Sequence, residues 1–154
     1  MKTVMVSGHF DPFHGGHLSY IKQAFRCGDN LYCIVSTDKQ LLMKKGKVNI
    51  PETARQEIMQ LVLEGLKVSH PWKCTYPYDN VGVNTVNAIL NIWDKDTTLV
   101  AEALRALNPN VFFRGGDKTL EDMPLEERAV CDELGIMIVH AKLEYDTHGS
   151  KMQL

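Results

Sequence analysis

The sequence predicts an α/β domain built on an open, doubly wound, mostly parallel sheet of five strands. Two observations predict it. Short apolar runs alternate with helix-periodic segments along the whole chain. The first 36 residues also read as strand, helix, strand, a unit whose crossover is nearly always right-handed. No repeat, low-complexity tract or linker divides the chain, so residues 1–154 are expected to form one domain.

The elements follow in order. Thr3 to Ser7 is a mostly apolar run ending at Gly8, as in a buried parallel strand. Leu18, Ile21, Ala24 and Phe25 share one helical face, and that helix stops before Gly28. Leu31 to Ser36 is a second buried strand. Residues 39–49 are rich in lysine, with one apolar patch at Leu41-Leu42-Met43, and are expected to form a mobile loop. Pro51-Glu52-Thr53 opens a helix expected to turn Ile58, Met59, Leu61, Val62 and Leu66 to the core. Lys73 to Tyr78 is a weaker strand candidate. Thr85 to Trp93 and Thr98 to Leu107 read as two consecutive helices broken around Asp94-Lys95-Asp96. Val111-Phe112-Phe113 is a short buried strand, Leu125 to Leu134 a helix capped by Gly135, and Ile136 to Ala141 the last strand. Ligands of such sheets bind beyond the carboxyl ends of the strands, where strand order reverses.

Composition narrows the function classes. With 44% hydrophobic and 23% charged residues, the chain reads as a soluble globular protein. A formal net charge of -2 argues against broad nucleic-acid binding, which needs clustered positive charge. No stretch approaches the roughly 20 apolar residues of a membrane helix, and Met1 to Gly8 lacks a signal-peptide core. Cys27, Cys33, Cys74 and Cys131 have no metal-ligand spacing and read as reduced, mostly buried thiols of a cytoplasmic protein. Trp72 and Trp93 are expected in the core or an interface, His70 and His140 in local hydrogen bonds, and Glu121 to Arg128 in solvent.

The chemistry is concentrated in Gly8-His9-Phe10-Asp11-Pro12-Phe13-His14-Gly15-Gly16-His17, just after the first strand. Gly8 is expected to let the chain turn off the strand, and Gly15 and Gly16 to let the backbone approach a ligand. A helix beginning near Gly16 points its free N–H groups and positive dipole end at the strand's carboxyl end. His14 and His17, three apart, project over the same anion site. The assembly is a polyphosphate pocket with two donors aimed at one phosphorus, where fixed donors stabilise a charged transition state. Asp11 either orients this turn or forms an Asx-type turn before Pro12.

Residues 8–17 resemble the G-x-F-D-x-x-H-x-G-H signature of the cytidylyltransferase-like nucleotidyltransferase superfamily, whose fold is Rossmann-like. Gly28-Asp29 and Ser36-Thr37-Asp38 resemble its polyol- and sugar-phosphate branch. Lys44 or Lys45 with Glu52-Thr53-Ala54-Arg55 resembles that branch's substrate-binding lysine and helix-borne arginine. Arg114-Gly115-Gly116-Asp117 resembles a turn of the heptose-phosphate adenylyltransferases.

The resemblance implies an enzyme in which an acceptor's phosphate oxygen attacks the α-phosphorus of an NTP directly. His14, His17 and Lys44 would be catalytic, and Lys45 and Arg55 would bind substrate. His9, Phe10, Asp11, Gly16, Arg114, Gly115, Asp117, Thr147 and Ser150 would bind nucleotide. Mg²⁺ would travel with the NTP, with no metal ligand in the chain. The expected partners are CTP, or ATP as the alternative, and a polyol, sugar or amino-alcohol phosphate. Nucleic acid and membrane are not expected, and a homodimer is, because relatives with this short fold are dimers.

The sequence departs from the pattern twice. His9 stands where the family usually has Thr, Ser or Cys. The segment Glu144 to Lys151 replaces R-T-x-G-I-S-T-T and lacks its arginine, with Thr147, Ser150 and Lys151 left to serve the triphosphate. A catalytically silent nucleotide-binding protein is the remote alternative, disfavoured because both signature histidines are present. A truncated class I aminoacyl-tRNA synthetase is disfavoured by the chain's length and charge.

Overall fold

The computed structural model describes residues 2–69, 85–116 and 118–142, and the backbone of two short strands at 74–75 and 78–79. A five-stranded, all-parallel sheet forms the centre. Its strands are β1 (Thr3–Gly8), β2 (Asn30–Val35), β5 (Thr85–Leu90), β6 (Val111–Arg114) and β7 (Met137–His140). They lie in the order β5-β2-β1-β6-β7, so the chain winds outward twice from β1 and the order reverses between β1 and β6. The strands β3 (Cys74–Thr75) and β4 (Tyr78–Asp79) form a separate antiparallel pair.

Helices cover both faces, as a sheet buried on two sides requires. On one face α1 (Gly15–Phe25) and α3 (Glu52–Ser69) pack Ile21, Ala24, Phe25, Met59, Leu63 and Leu66 against Val4, Val6 and Cys33. On the other, α4 (Ala101–Leu107) and α5 (Leu125–Leu134) pack Leu104, Val130 and Cys131 against Met5, Ile34 and Phe112. Cys33 and Cys131 are buried thiols, and Cys27 is half-buried with its thiol donating to the Gln23 carbonyl. Among the described residues no helix is long and apolar enough to cross a membrane.

Several expectations change. The lysine-rich stretch is a helix, α2 (Asp38–Lys45), rather than a loop. Thr37 Oγ1 accepts from the Gln40 N–H and the Gln40 side chain accepts from the Thr37 N–H, a reciprocal cap. Gly46 ends α2, and Gly135 ends α5, in the left-handed conformation. Lysine is itself a good helix former, so the ammonium groups do not oppose the helix once both ends are capped.

The third main-sheet strand is Thr85–Leu90, where a helix was expected, while Lys73 to Tyr78 contributes only the small antiparallel pair. Thr85, Val86 and Ile89 are β-branched, and β2 offers a full parallel register from Asn30↔Thr85 to Val35↔Leu90. β5 is an edge strand. Gln56 Nε2 donates to the Ala88 carbonyl, Gln60 Nε2 to the Val86 carbonyl, and the Ala88 N–H donates to Gln60 Oε1. The α3 amides thereby occupy edge groups that would otherwise invite another strand.

On α3 itself, Met59, Leu63 and Leu66 face the core, whereas Ile58 and Leu61 are exposed. Of the expected stripe Met59 and Leu66 are buried as expected, while Arg55 and Leu63 take the other buried positions. Glu127, expected in solvent, is also buried.

Candidate active site

β1 and β6 pair only through Val4↔Val111 and Met5↔Phe112, then part toward their carboxyl ends. The Tyr20 hydroxyl bridges the gap, accepting from the Ser7 N–H at 3.3 Å and donating to the Phe113 carbonyl at 2.7 Å. This parting opens a cleft of about 400 Å³ at the reversal of strand order. Its wall includes His9, Asp11, His14, His17, Lys45 and Gly115.

The two signature histidines are built into the start of α1. His14 is the residue that caps the helix, with extended backbone, and its Nδ1 accepts from the Gly16 N–H at 3.0 Å. His17 Nδ1 accepts from the His14 N–H at 3.2 Å, completing a capping box made of imidazoles. A ring nitrogen that accepts carries no proton, so each neutral imidazole is protonated on Nε2 and presents it as a donor. The rings stack with centroids 3.8 Å apart and planes 21° from parallel, so the two donors project together. Phe10 and Phe13 pack against His17, with centroids 5.0 and 5.8 Å from its ring.

Gly8 has a different reason from the one expected. A Cβ there would lie 2.9 Å from Phe10 Cζ, so the glycine admits the buried Phe10 ring beneath the turn. Phe10 itself has φ 53, the left-handed conformation that disfavours side chains. Its burial in the core holds it there.

Asp11 lines the cleft, and its carboxylate accepts from the N–H groups of Asn49 and Ile50 at 2.8 and 2.6 Å. It orients the signature turn by tying it to the approach to α3, rather than by an Asx-type turn. Gly16 is buried and donates its N–H to His14, so that group completes the cap.

Arg55 was expected to meet substrate, but its side chain is fully buried. Nε donates to the Ile50 carbonyl, Nη1 to the carbonyls of His9 and Ser36, and Nη2 to Asp38 Oδ1. One guanidinium thus pins the signature turn, the end of β2 and the start of α2 together. Arg114 is likewise buried, donating to the Thr119 carbonyl at 2.7 Å beside His140, so it holds the turn that follows rather than facing the cleft. Gly115 and Gly116 do line it. Lys45, at the end of α2, lines the cleft and Lys44 does not, which reverses their expected order. Asp117, Thr147, Ser150 and Lys151, like His70 and Trp72, lie outside the described residues.

Sequence reasoning missed Lys118 and Lys142, which also line the cleft. Lys142 reaches it because its main chain exchanges hydrogen bonds with the Gln23 side chain of α1, at 2.8 Å each way. Three lysines and one occupied carboxylate make the cleft suited to a polyanion. His9 lines the cleft too, with Nδ1 2.6 Å from Ser36 Oγ. Burial, aided by Lys45, Arg55 and Lys44, lowers its pKa to about 4, so the ring is neutral at pH 7.

Comparison with known proteins gives this geometry a setting. The family model for cytidylyltransferase-like proteins matches residues 5–151. An FAD synthase of Methanosphaerula palustris is 27% identical over 139 residues, covering 90% of this chain and 74% of that protein. The bifunctional protein HldE of Wolinella succinogenes is 30% identical over 116 residues, 75% of this chain but only 20% of HldE. The chain therefore spans about a fifth of the HldE proteins it matches. Among solved structures, the lipopolysaccharide core biosynthesis protein from Thermoplasma volcanium superposes with a TM-score of 0.62 at 25% identity, covering 95% of this chain and 99% of that one. A protein from Archaeoglobus fulgidus shares the fold, with a TM-score of 0.54 at 20% identity over 100% of this chain and 96% of that one. With a match that starts inside β1 and runs through every strand of the sheet, the chain belongs to the cytidylyltransferase-like family of nucleotidyltransferases.

Proposed function

We propose that the chain, acting as one domain, transfers a nucleoside monophosphate unit from an NTP to a small phosphorylated acceptor. The observation that carries this reading is the paired cap of α1, which fixes two imidazole Nε2–H donors at the mouth of a lysine-lined cleft. An oxygen of the acceptor's phosphate attacks the α-phosphorus. The bond from the α-phosphorus to the bridging oxygen of the β-phosphate breaks, and pyrophosphate leaves with that electron pair. His14 and His17 donate to the non-bridging oxygens as charge builds on them, and Lys45, Lys118 and Lys142 neutralise the phosphate chain. The attacking oxygen is already ionised, so no base is required.

Among the described residues no group of three or more His, Cys, Asp or Glu side chains is placed to hold a metal. The NTP is read as its Mg²⁺ complex, the ion entering with the triphosphate whose charge it neutralises.

For the base, ATP is supported as well as CTP. FAD synthases stand among the relatives, and FAD contains an AMP unit. The Arg114-Gly115-Gly116-Asp117 turn points the same way. The lipopolysaccharide relationship of the Thermoplasma protein supports a sugar or polyol phosphate as acceptor. A homodimer fits the exposed stripe Ile58, Leu61 and Val68 on α3.

The test is to incubate the protein with each Mg-NTP and a panel of small phosphates and measure pyrophosphate. Release that depends on both substrates supports the reading. Release with no acceptor, or none with any pair, refutes it.

A further inference from the structure

One row of α1 runs along the cleft. His14 at its cap, then His17, Tyr20 and Gln23 within it, stand three apart, and all four line the cleft. Residues at that spacing form a single inclined ridge on a helix. The row starts at the two imidazoles and passes Tyr20, which ties β1 to β6. It ends at Gln23, six residues beyond His17 and so about 9 Å farther along the axis.

The Gln23 amide is fully engaged. Nε2 donates to Ser19 Oγ at 3.2 Å and to the Lys142 carbonyl at 2.8 Å, which uses both of its protons. Oε1 accepts from the Lys142 N–H at 2.8 Å. Ser19 is buried one turn earlier on α1, so it fixes how the amide is turned.

The two bonds to Lys142 stand where ladder bonds would be. β7 follows β6 as far as Arg114↔His140, and the Ala141 N–H still donates to the Arg114 carbonyl at 2.8 Å. β6 ends there, and at the next residue the Gln23 amide offers one donor and one acceptor, as a strand would. Ala141 is buried in the same core as Ile21, Ala24 and Phe25 of α1. The chain leaving β7 is thereby drawn onto α1, and Lys142 comes to the cleft wall.

A lysine ammonium rides on a flexible four-carbon stem, so its position depends on where the main chain is held. Ordering that main chain only when ligand arrives would subtract from binding, whereas a latch orders it beforehand. Lys45 is placed by the end of α2 and does not need this latch.

We propose that Gln23 is a positioning residue for nucleotide binding. Its amide latches the main chain at Lys142 to α1, so that the ammonium meets the phosphates beyond the one held by His14 and His17. The inference rests on the nucleotidyl-transfer reading and adds a residue that acts through Lys142 rather than on substrate.

The experiment is a double-mutant cycle on Gln23→Met and Lys142→Ala. Methionine keeps the length and helix propensity of glutamine but offers no strong donor or acceptor. Steady-state pyrophosphate release with the preferred Mg-NTP and acceptor is paired with calorimetric binding of that Mg-NTP and thermal unfolding. Lys142→Ala should raise the KM for NTP about 10- to 100-fold, the usual worth of a hydrogen bond from a charged group. Gln23→Met should raise it at least about fivefold, with the KM for acceptor within about twofold of wild type. The double variant should bind NTP within about twofold of Lys142→Ala, because both changes remove one interaction. Gln23→Asn keeps the amide but loses its reach, so it should behave as Gln23→Met does and serves in the cycle if the latter does not fold. A merely structural role would lower the melting temperature and leave the KM for NTP within about twofold. Direct contact of Gln23 with substrate would make the two effects multiply. Either result, or an unchanged KM in Lys142→Ala, would overturn this proposal alone. Failure of every NTP and phosphate pair with wild type would remove the underlying reading as well.

Discussion

Replacing His14 separates its two duties, because the ring caps α1 through Nδ1 and donates into the cleft through Nε2. Asparagine offers a side-chain oxygen where Nδ1 stood and is among the best N-cap residues, but it cannot reach with an imidazole. His14→Asn should therefore keep the melting temperature within about 2 °C of wild type. It should also lower kcat on the order of 10²–10³-fold, the usual loss for one oxyanion donor, equivalent to about 2.7–4 kcal/mol of transition-state stabilisation. His14→Ala should show the same catalytic loss and in addition destabilise the fold by about 1 kcal/mol for the missing cap. For a domain of this size that is a fall in Tm of about 2–4 °C. The assay is steady-state pyrophosphate release with both substrates saturating, paired with thermal unfolding of each variant. A His14→Asn enzyme within about threefold of wild-type kcat would refute the reasoning. Equal catalytic loss that tracks only the loss of stability would refute it too.

Lys45→Ala should raise the KM for NTP and lower kcat about tenfold or more, while Lys44→Ala stays within about threefold, since only Lys45 lines the cleft. Kinetics with the reverse order would return the role to Lys44. Arg55→Ala should destabilise the fold by about 3–5 kcal/mol, because it leaves the Asp38 carboxylate and the carbonyls of His9, Ser36 and Ile50 without their shared donor. Denaturant titration showing less than about 1 kcal/mol would contradict that assignment. His9 has a folded pKa near 4 against an ordinary 6.5, so its neutral form is favoured in the fold. Its contribution to stability should be complete above about pH 6.5 and fade as pH falls through about 4. His9→Thr should flatten this dependence, and an unchanged pH slope of stability would refute it. Light scattering that returns a 17.4 kDa particle at assay concentration would defeat the proposed homodimer.

The order of elements around the signature is written locally in the chain. The apolar run before Gly8, the His14-Gly15-Gly16-His17 start of α1, the Thr37/Gln40 cap of α2 and Gly135 at the end of α5 all act within a few residues of themselves. The α2 cap is equally local, although the lysines around it have the composition of a solvated loop. Thr85–Leu90 was not legible as a strand, because a short apolar run fits a helix or a strand equally well and only the register offered by β2 decides.

Charged side chains divide along the same line. The sequence by itself determined that Arg55, Arg114, Glu127 and the lysines are charged or chargeable, and that two histidines stand three apart after a strand. Tertiary structure alone decided that Arg55 and Arg114 turn inward to free carbonyls and that Glu127 is buried. It also decided that Lys118 and Lys142 meet Lys45 across the cleft. Those outcomes depend on which groups of the loops beyond the strands' carboxyl ends meet one another, as Arg55 meets His9 and Ser36 and Lys142 meets Gln23. That is set by strands more than a hundred residues apart in the chain, and no local pattern carries it.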